Sequence, residues 1–150
     1  MKHLVVFFFL CLSFIPITKS NNALPIVPKP AQESTSGEQI VVQKKWAIFV
    51  PSQLNINKEY LSFIFKESDI EVTDATDKKN ALIVVDIDKK FSKNPESYRL
   101  KITGNGKVTI SASSENGVLY AFQSLSQIVQ ADGNTVALPV CTITDEPAFS

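Results

Sequence analysis

The sequence has little histidine and little cysteine, and both shortages exclude chemistry. Its single histidine, His3, and one of its two cysteines, Cys11, lie within the first 20 residues. If cleavage removes that segment, no histidine remains and Cys141 is left without a cysteine partner in the chain. A Ser-His-Asp or Cys-His nucleophile pair, a His-based zinc site and an intrachain disulfide are then excluded.

The sequence also lacks a strong charge of either sign. It has 15 basic and 15 acidic residues, and loss of Lys2 and Lys19 with the first segment would leave it slightly acidic. There is no basic stripe, so nucleic acid is not an expected partner. There is no G-x-x-x-x-G-K-[ST] loop either, so nucleotide binding by a P-loop is not expected. The sequence therefore predicts no cofactor and no metal site.

The first 20 residues have the three-part pattern of a secretory signal peptide. Lys2 gives a positive start, an almost unbroken apolar run extends from Leu4 to Ile17, and small residues at Thr18 and Ser20 form a cleavage site before Asn21. The run is shorter than the roughly 20 apolar residues of a membrane span. We therefore expect export to the periplasm or the outside of the cell.

Two alternatives to cleavage at residue 20 stay open. One is an uncleaved anchor. The other is a lipoprotein attached through Cys11, although Phe9 and Leu10 before it lack the small residue that a lipoprotein signal usually has there. After cleavage at residue 20 we expect no stable membrane span.

Residues 21–40 are predicted to form an extended arm, with a flexible linker as the alternative. The arm contains three prolines that forbid a helix: Pro25, Pro28 and Pro30. We expect Ile26 and Val27 to pack against the remainder of the chain. The polar segment 32–37 is typical of a turn.

Residues 41–147 alternate between strand and helix patterns and predict one domain. The predicted elements are strands over 40–50, 70–72 and 81–87, a helix over 57–67, a hairpin over 98–112, a helix over 113–129 and a strand over 138–144. The run at 81–87 is continuous and β-branched, which is typical of a central strand. The fold class is therefore α+β, a small, mostly antiparallel sheet with two helices packed on one face.

A few residues could carry a site, and each has a structural interpretation beside the functional one. Trp46 and Tyr98 could stack on a sugar, but an aromatic residue in a strand more often belongs to the core. Asp86 and Asp88 could form a metal or acid–base pair, but two carboxylates beside lysines more often end a solvated strand. Cys141 lies in the last strand and is expected to be a buried small residue.

The second helix opens on Asn116-Gly117, an unusual pair for the first turn of a helix. Ser113 or Ser114 can cap this helix, and an apolar stripe extends from Val118 to Val129. The glycine either lets the chain turn sharply from strand to helix or lets the helix start approach a neighbour closely.

Four motifs occur in an order that is specific to one family. They are Ile26-Val27-Pro28-Lys29-Pro30, the strand Tyr98-Arg99-Leu100-Lys101-Ile102, the helix from Gly117 to Gln127 (GVLYAFQSLSQ), and the exit from Ile143 to Phe149 (ITDEPAF). This sequence resembles the N-terminal domain of the β-N-acetylhexosaminidases of glycoside hydrolase family 20. One departure is Ala148, where the family usually has a basic residue.

The resemblance implies a zincin-like, non-catalytic domain without a zinc motif, which supports a (β/α)₈ catalytic barrel. Residues 148–150 are predicted to begin the link to that barrel. The acid–base Glu and its neighbouring Asp lie in the barrel, so no catalytic residue is assigned here and this chain alone is expected to be inactive. The implied reaction removes terminal N-acetylhexosamine from glycans or chitooligosaccharides by retaining hydrolysis, with the substrate's own acetamido oxygen as nucleophile. The alternative is a carbohydrate-binding or partner-docking module without catalysis.

Overall fold

The computed structural model describes residues 23–88, 91 and 94–146. The predicted signal peptide over 1–20 and the predicted link over 148–150 lie outside these residues. Among the described helices, none is long and apolar enough to cross a membrane.

The described residues form eight strands and two α-helices. The strands are β1 (Gln32–Gln43), β2 (Lys45–Phe49), β3 (Glu71–Asp74), β4 (Ile83–Ile87), β5 (Tyr98–Ile102), β6 (Val108–Ala112), β7 (Gln130–Asp132) and β8 (Thr135–Asp145). The helices are α1 (Lys58–Ile64), which a short 3-10 helix (Lys66–Ser68) follows, and α2 (Glu115–Ile128).

All eight strands join one sheet with the order β1-β8-β5-β6-β4-β2-β3, and β7 pairs with β8 beside this path. The pairs among β1, β5, β6, β7 and β8 are antiparallel, whereas β4–β6, β2–β4 and β2–β3 are parallel. Helix α2 packs on β5 and β6, and α1 packs beside it near β3. The predicted α+β class, with two helices on one face, is confirmed.

Three aromatic rings form the centre of the core between the sheet and the helices. Trp46 on β2 meets Phe65 edge-on with 5.1 Å between ring centroids, and Phe65 meets Phe122 on α2 at 6.4 Å. All three side chains are fully buried. Such edge-to-face pairs are stabilising beyond the area they bury, so this cluster joins both helices to the sheet.

The predicted hairpin is present as β5 and β6. Leu100 lies opposite Ile110 and Ile102 lies opposite Val108, with all four side chains buried. Gly106 in the turn has a φ of +85°, a conformation that glycine adopts without steric penalty. The alternation of apolar and polar residues therefore predicted both the strands and the buried face.

Gly117 was expected either to let the chain turn sharply or to let the start of the helix approach a neighbour closely. The structure shows the close approach. A Cβ built at Gly117 would lie 2.4 Å from the backbone oxygen of Ser97 and 3.1 Å from the Cβ of Ala112. Ser114 is the N-cap of α2, and its Oγ accepts a hydrogen bond from the backbone N–H of Asn116. The first turn of α2 thus lies directly on the backbone before β5, where only glycine fits.

Two predictions for the N-terminal arm are wrong. The segment 32–37 is not a turn but the first half of β1, which pairs with β8 over Gln32–Thr35 and again from Gln39, with an irregularity between them where Gly37 has a φ of +80°. Its polar side chains suit an edge strand, because most of them remain exposed while β8 supplies the backbone hydrogen bonds. Ile26 is buried as expected, but Val27 is 79% exposed.

Other boundaries differ by a few residues. The strand expected over 40–50 is divided by Lys44 into β1 and β2. The predicted first helix ends at Ile64 and continues only as the 3-10 helix, although Asn57 caps it as expected by accepting from the backbone N–H groups of Glu59 and Tyr60. Strand β7 was not predicted, since all three of its side chains are exposed.

Candidate functional site

The two aromatic residues considered as a sugar platform are not accessible. Trp46 is 0% exposed and its Nε1–H donates to the backbone oxygen of Gln43 at 2.9 Å. Tyr98 is 2% exposed, and its hydroxyl lies 2.6 Å from the hydroxyl of Ser124 on α2. Stacking on a sugar needs an exposed ring face, so the hypothesis of a platform at either residue is wrong.

The Tyr98 hydroxyl joins β5 to α2 inside the core. Burial raises the pKa of Tyr98 to about 12, and the negative charge of Asp145 acts in the same direction, while the hydrogen bond with Ser124 opposes the shift. The protonated phenol is therefore the form that the fold stabilises.

This raised pKa predicts a loss of stability in strong base. The pKa of Tyr98 in the folded state lies above its unfolded value, which is near 10.0. The contribution of the protonated Tyr98 to the free energy of unfolding is therefore fully present below pH 10, and it is lost as the pH rises through about 12. Tyr98→Phe removes both the hydroxyl and its titration. We expect the variant to be less stable than the wild type by about 1 kcal/mol near neutral pH, since Ser124 loses its partner.

Urea unfolding of both proteins at about pH 8 and about pH 11.5 tests this linkage. The difference in free energy of unfolding should shrink at the higher pH, where the wild type alone loses the Tyr98 contribution. A difference that stays constant between the two pH values would contradict the assignment.

Cys141 is a buried structural residue, as predicted. Its side chain is 4% exposed, and burial, aided by the nearby charge of Glu33, raises the pKa of the thiol to about 11. The thiolate is the nucleophilic and metal-binding form, so this environment disfavours both roles.

Asp86, on β4, has an ordinary structural contact. Asp86 forms an ion pair with Lys78, and both side chains are about half exposed, at 43% and 57%. Within the described residues, no group of three or more His, Cys, Asp or Glu side chains is placed to hold a metal ion.

The outward side of the two helices carries two exposed aromatic side chains, Phe63 and Tyr120. Together with the partly buried Tyr60 and with Gln123 they form what we call the helix-side surface. Phe63 is 71% exposed and Tyr120 is 37% exposed. Gln123 on α2 donates from Nε2 to the hydroxyl of Tyr60 on α1 at 2.6 Å. This hydrogen bond holds the two helices together at the surface.

A cleft of about 510 Å³ adjoins the helix-side surface. Its walls are the N-terminal arm from Ile26 to Ala31, the outward side of α2, and the end of β8. The arm is held there at two points: the backbone N–H of Val27 donates to Oε1 of Gln127 at 2.8 Å, and that of Ala31 donates to Oδ1 of Asp145 at 3.0 Å.

Residues 23–146 match the family model described as glycosyl hydrolase family 20, domain 2. The chain belongs to this family. The match covers nearly all the described residues, and it agrees with the resemblance that the four sequence motifs indicate.

Solved structures of family 20 enzymes share the fold. An exo-β-N-acetylglucosaminidase from Vibrio harveyi, in complex with N-acetylglucosamine, matches with a TM-score of 0.72 at 21% identity over 85% of this chain and 20% of its own. A β-N-acetylhexosaminidase from Bacteroides fragilis matches with a TM-score of 0.65 at 22% identity over 82% of this chain and 25% of its own. The N-acetyl-β-hexosaminidase of Streptomyces plicatus matches with a TM-score of 0.65 at 20% identity over 86% of this chain and 27% of its own. This family 20 domain 2 chain thus spans 20–27% of the length of these enzymes.

Sequence reasoning missed the features that the arm creates. The contacts of Gln127 and Asp145 with the arm join residues about 100 positions apart, and no local pattern indicates such pairs. Exposure of Phe63 could have been inferred, because it lies off the buried row formed by Leu61 on α1 and Phe65 just after it.

Proposed function

We propose that this chain is the N-terminal supporting domain of an exported β-N-acetylhexosaminidase. The observation that carries the proposal is the family match over residues 23–146, together with a fold shared with enzymes of which the matched part covers only 20% and 25%. The hydrolysis of terminal N-acetylhexosamine is assigned to a catalytic domain of the longer protein. The described residues contribute no catalytic group to it.

The surface that best suits contact with such a domain is the helix-side surface. Protein interfaces are enriched in aromatic residues and depleted in charged ones at their centre. Phe63 and Tyr120 meet this description. The opposite face of the sheet instead presents polar side chains such as Lys101, Thr109 and Thr142, which lie side by side on neighbouring strands.

The substrate chemistry follows from the family's reaction rather than from this domain. In that reaction the 2-acetamido oxygen of a sugar residue attacks the anomeric carbon of the same residue, so an N-acetylated sugar is required. We propose glycans or chitooligosaccharides with a terminal N-acetylhexosamine as substrates. We also propose that residues 1–20 direct export, on the strength of their three-part pattern.

The test compares this chain with the longer protein obtained by extending the reading frame beyond Ser150. Both are expressed with residues 1–20 in place, and release of a chromophore from an N-acetylglucosaminide is measured in the exported fraction. The longer protein should hydrolyse it and the 150-residue chain should not. Hydrolysis by the short chain, or none by the long one, would contradict the proposal, and the second result would favour a docking module.

The supporting role is tested in the longer protein with Phe63→Glu and a matched control, Val41→Glu. Val41 is 68% exposed and lies opposite Ala137, on the sheet face away from the helices. A buried unpaired charge at an interface is strongly unfavourable, so Phe63→Glu should shorten the half-life of activity on heating. Val41→Glu should leave it unchanged. Equal half-lives for both variants would exclude the helix-side surface as the contact.

A further inference from the structure

Strand β1 lies at one end of the sheet, and its outer edge has no strand beside it in the part of the chain that the structure describes. The register of β1 with β8 shifts between Thr35 and Gln39 and is regular beyond Gln39. We call Glu38 to Lys44 the edge segment. The backbone N–H and C=O groups on the outer side of such a strand offer hydrogen bonds to another strand.

The centre of the edge segment lacks the features that usually keep a strand edge unpaired. Its sequence is EQIVVQK, in which three β-branched residues follow one another and no proline or central charge interrupts them. Val41 is 68% exposed, whereas Ile40 and Val42 are partly buried against the core. A hydrophobic strand edge of this kind favours association with another strand.

The other end of the sheet is protected by short length and by charge. Strand β3 has only four residues, and its Glu71 and Asp74 form ion pairs with Lys45 and Lys58. Short edge strands and charged side chains are common devices against edge pairing. Association through strand edges is therefore expected at β1, and it closes at two copies because each copy contributes one such edge.

The edge segment is complementary to itself in the antiparallel direction. Two copies can be placed about a two-fold axis that passes through Val41. The residues that face each other are then Val41 with Val41, Ile40 with Val42, Gln39 with Gln43, and Glu38 with Lys44. Apolar pairs occupy the centre, amides flank them, and opposite charges meet at both ends, which are favourable combinations across two strands.

The charged residues at the two ends are available for this contact. Glu38 is exposed. Lys44 forms an ion pair with Asp69 at 3.5 Å, and the side chain of Asp69 is 91% exposed. An ion pair so open to solvent contributes little to stability. Lys44 can therefore face Glu38 of a second copy without the loss of a strong contact.

We propose that two copies of this chain associate through their β1 strands, antiparallel about Val41, so that their two sheets become one continuous sheet. Backbone hydrogen bonds provide the affinity, and the facing side chains set the register. A contact made by one strand from each copy is smaller than the roughly 1,200 Å² of a standard interface, so the dimer is weak and forms at high protein concentration. The pairing uses β1 alone and does not depend on the activity proposed above. Activity at high dilution belongs to the separate chain, so Val41→Glu remains a suitable control there.

Sedimentation of the purified chain over a wide range of concentration tests the pairing. We expect the average mass to rise from one copy to two and no further. Val41→Lys places two ammonium groups opposite each other and should raise the dissociation constant at least about tenfold. The matched control is Val27→Lys, which introduces the same charge at a valine that is 79% exposed in the arm. It should leave the dissociation constant unchanged.

A pair of charge reversals tests the register. Glu38→Lys gives both ends of the contact two positive charges, and Lys44→Glu gives them two negative charges, so each variant alone should be mostly monomeric where the unchanged chain is dimeric. A mixture of the two variants should restore the dimer, because each end then joins a positive charge to a negative one. Circular dichroism establishes that every variant is folded before masses are compared.

Four results would overturn the pairing. A mass of one copy at every concentration is the first, and growth beyond two copies is the second. A dimer that Val41→Lys leaves intact would place the contact elsewhere, such as on the helix-side surface. A mixture of the two charge variants that stays monomeric would exclude the antiparallel register about Val41. None of these measurements involves hydrolysis, so failure here and failure of the proposed function are distinguishable.

Discussion

Replacement of Trp46 by alanine is expected to lower the free energy of unfolding by about 3–5 kcal/mol, the range for large aromatic side chains removed from a core. Trp46 is fully buried on β2 and packs edge-on against Phe65. Its removal leaves a cavity at the centre of the aromatic cluster and leaves the backbone oxygen of Gln43 without the indole donor. Domains of this size are stable by only about 5–15 kcal/mol, so the variant should lose a large part of its stability.

Two further variants show whether the stability loss comes from the cavity in the core or from the removal of an aromatic side chain as such. Trp46→Phe keeps a ring in the core, so its free energy of unfolding should fall much less than that of Trp46→Ala, since part of the volume remains filled. Phe63→Ala removes an exposed ring and should change stability by no more than about 0.5 kcal/mol. Trp46 is the only tryptophan, so urea unfolding is followed by circular dichroism rather than by fluorescence. A loss below about 1 kcal/mol for Trp46→Ala would contradict the described packing.

Gly117→Ala is expected to destabilise the domain by about 2 kcal/mol or more, although alanine is the better helix former. The helix preference for alanine contributes at most about 1 kcal/mol. This gain is opposed by a steric clash, because the new Cβ would lie 2.4 Å from the backbone oxygen of Ser97, closer than real Cβ atoms approach an oxygen. Relief requires α2 to move away from the backbone before β5, and overpacking of this kind costs about 1–3 kcal/mol or more.

Gly104→Ala provides the matched control for this substitution. Gly104 lies in the β5–β6 turn with no atom within 4 Å of a built Cβ, and its φ is not positive. Its change should therefore be close to neutral in thermal or urea unfolding. If both alanine variants unfold at the same midpoint, the close approach at Gly117 does not constrain the helix.

The sequence was sufficient for elements whose side chains alternate between core and solvent. The hairpin of β5 and β6 and the helix α2 follow directly from periods of two and 3.6 residues, and their buried residues match the expected faces. The resemblance that these elements carry was also sufficient to name the family, since the family model covers the same residues.

The sequence was not sufficient where a segment's structure is decided by a distant segment of the same chain. Segment 32–37 is polar and becomes a strand only because β8 supplies hydrogen bonds to it. The parallel pairing of β4 with β6, and of β2 with β4, is set by how the connections cross the sheet, which no local pattern records. The cleft is hidden for the same reason, because its walls come from opposite ends of the chain.

The position of β8 has a consequence for how the domain is made. Strand β8 lies between β1 and β5, so among the described strands β1 has no partner until β8 has been synthesised. Contacts of such long sequence separation form late and slow folding. Until then the backbone groups of β1 lack their partner strand, and β1 contains neither lysine nor proline, two of the features that protect strand edges from association. The nascent chain is therefore expected to be most vulnerable to aggregation just before the residues around 135–145 leave the ribosome.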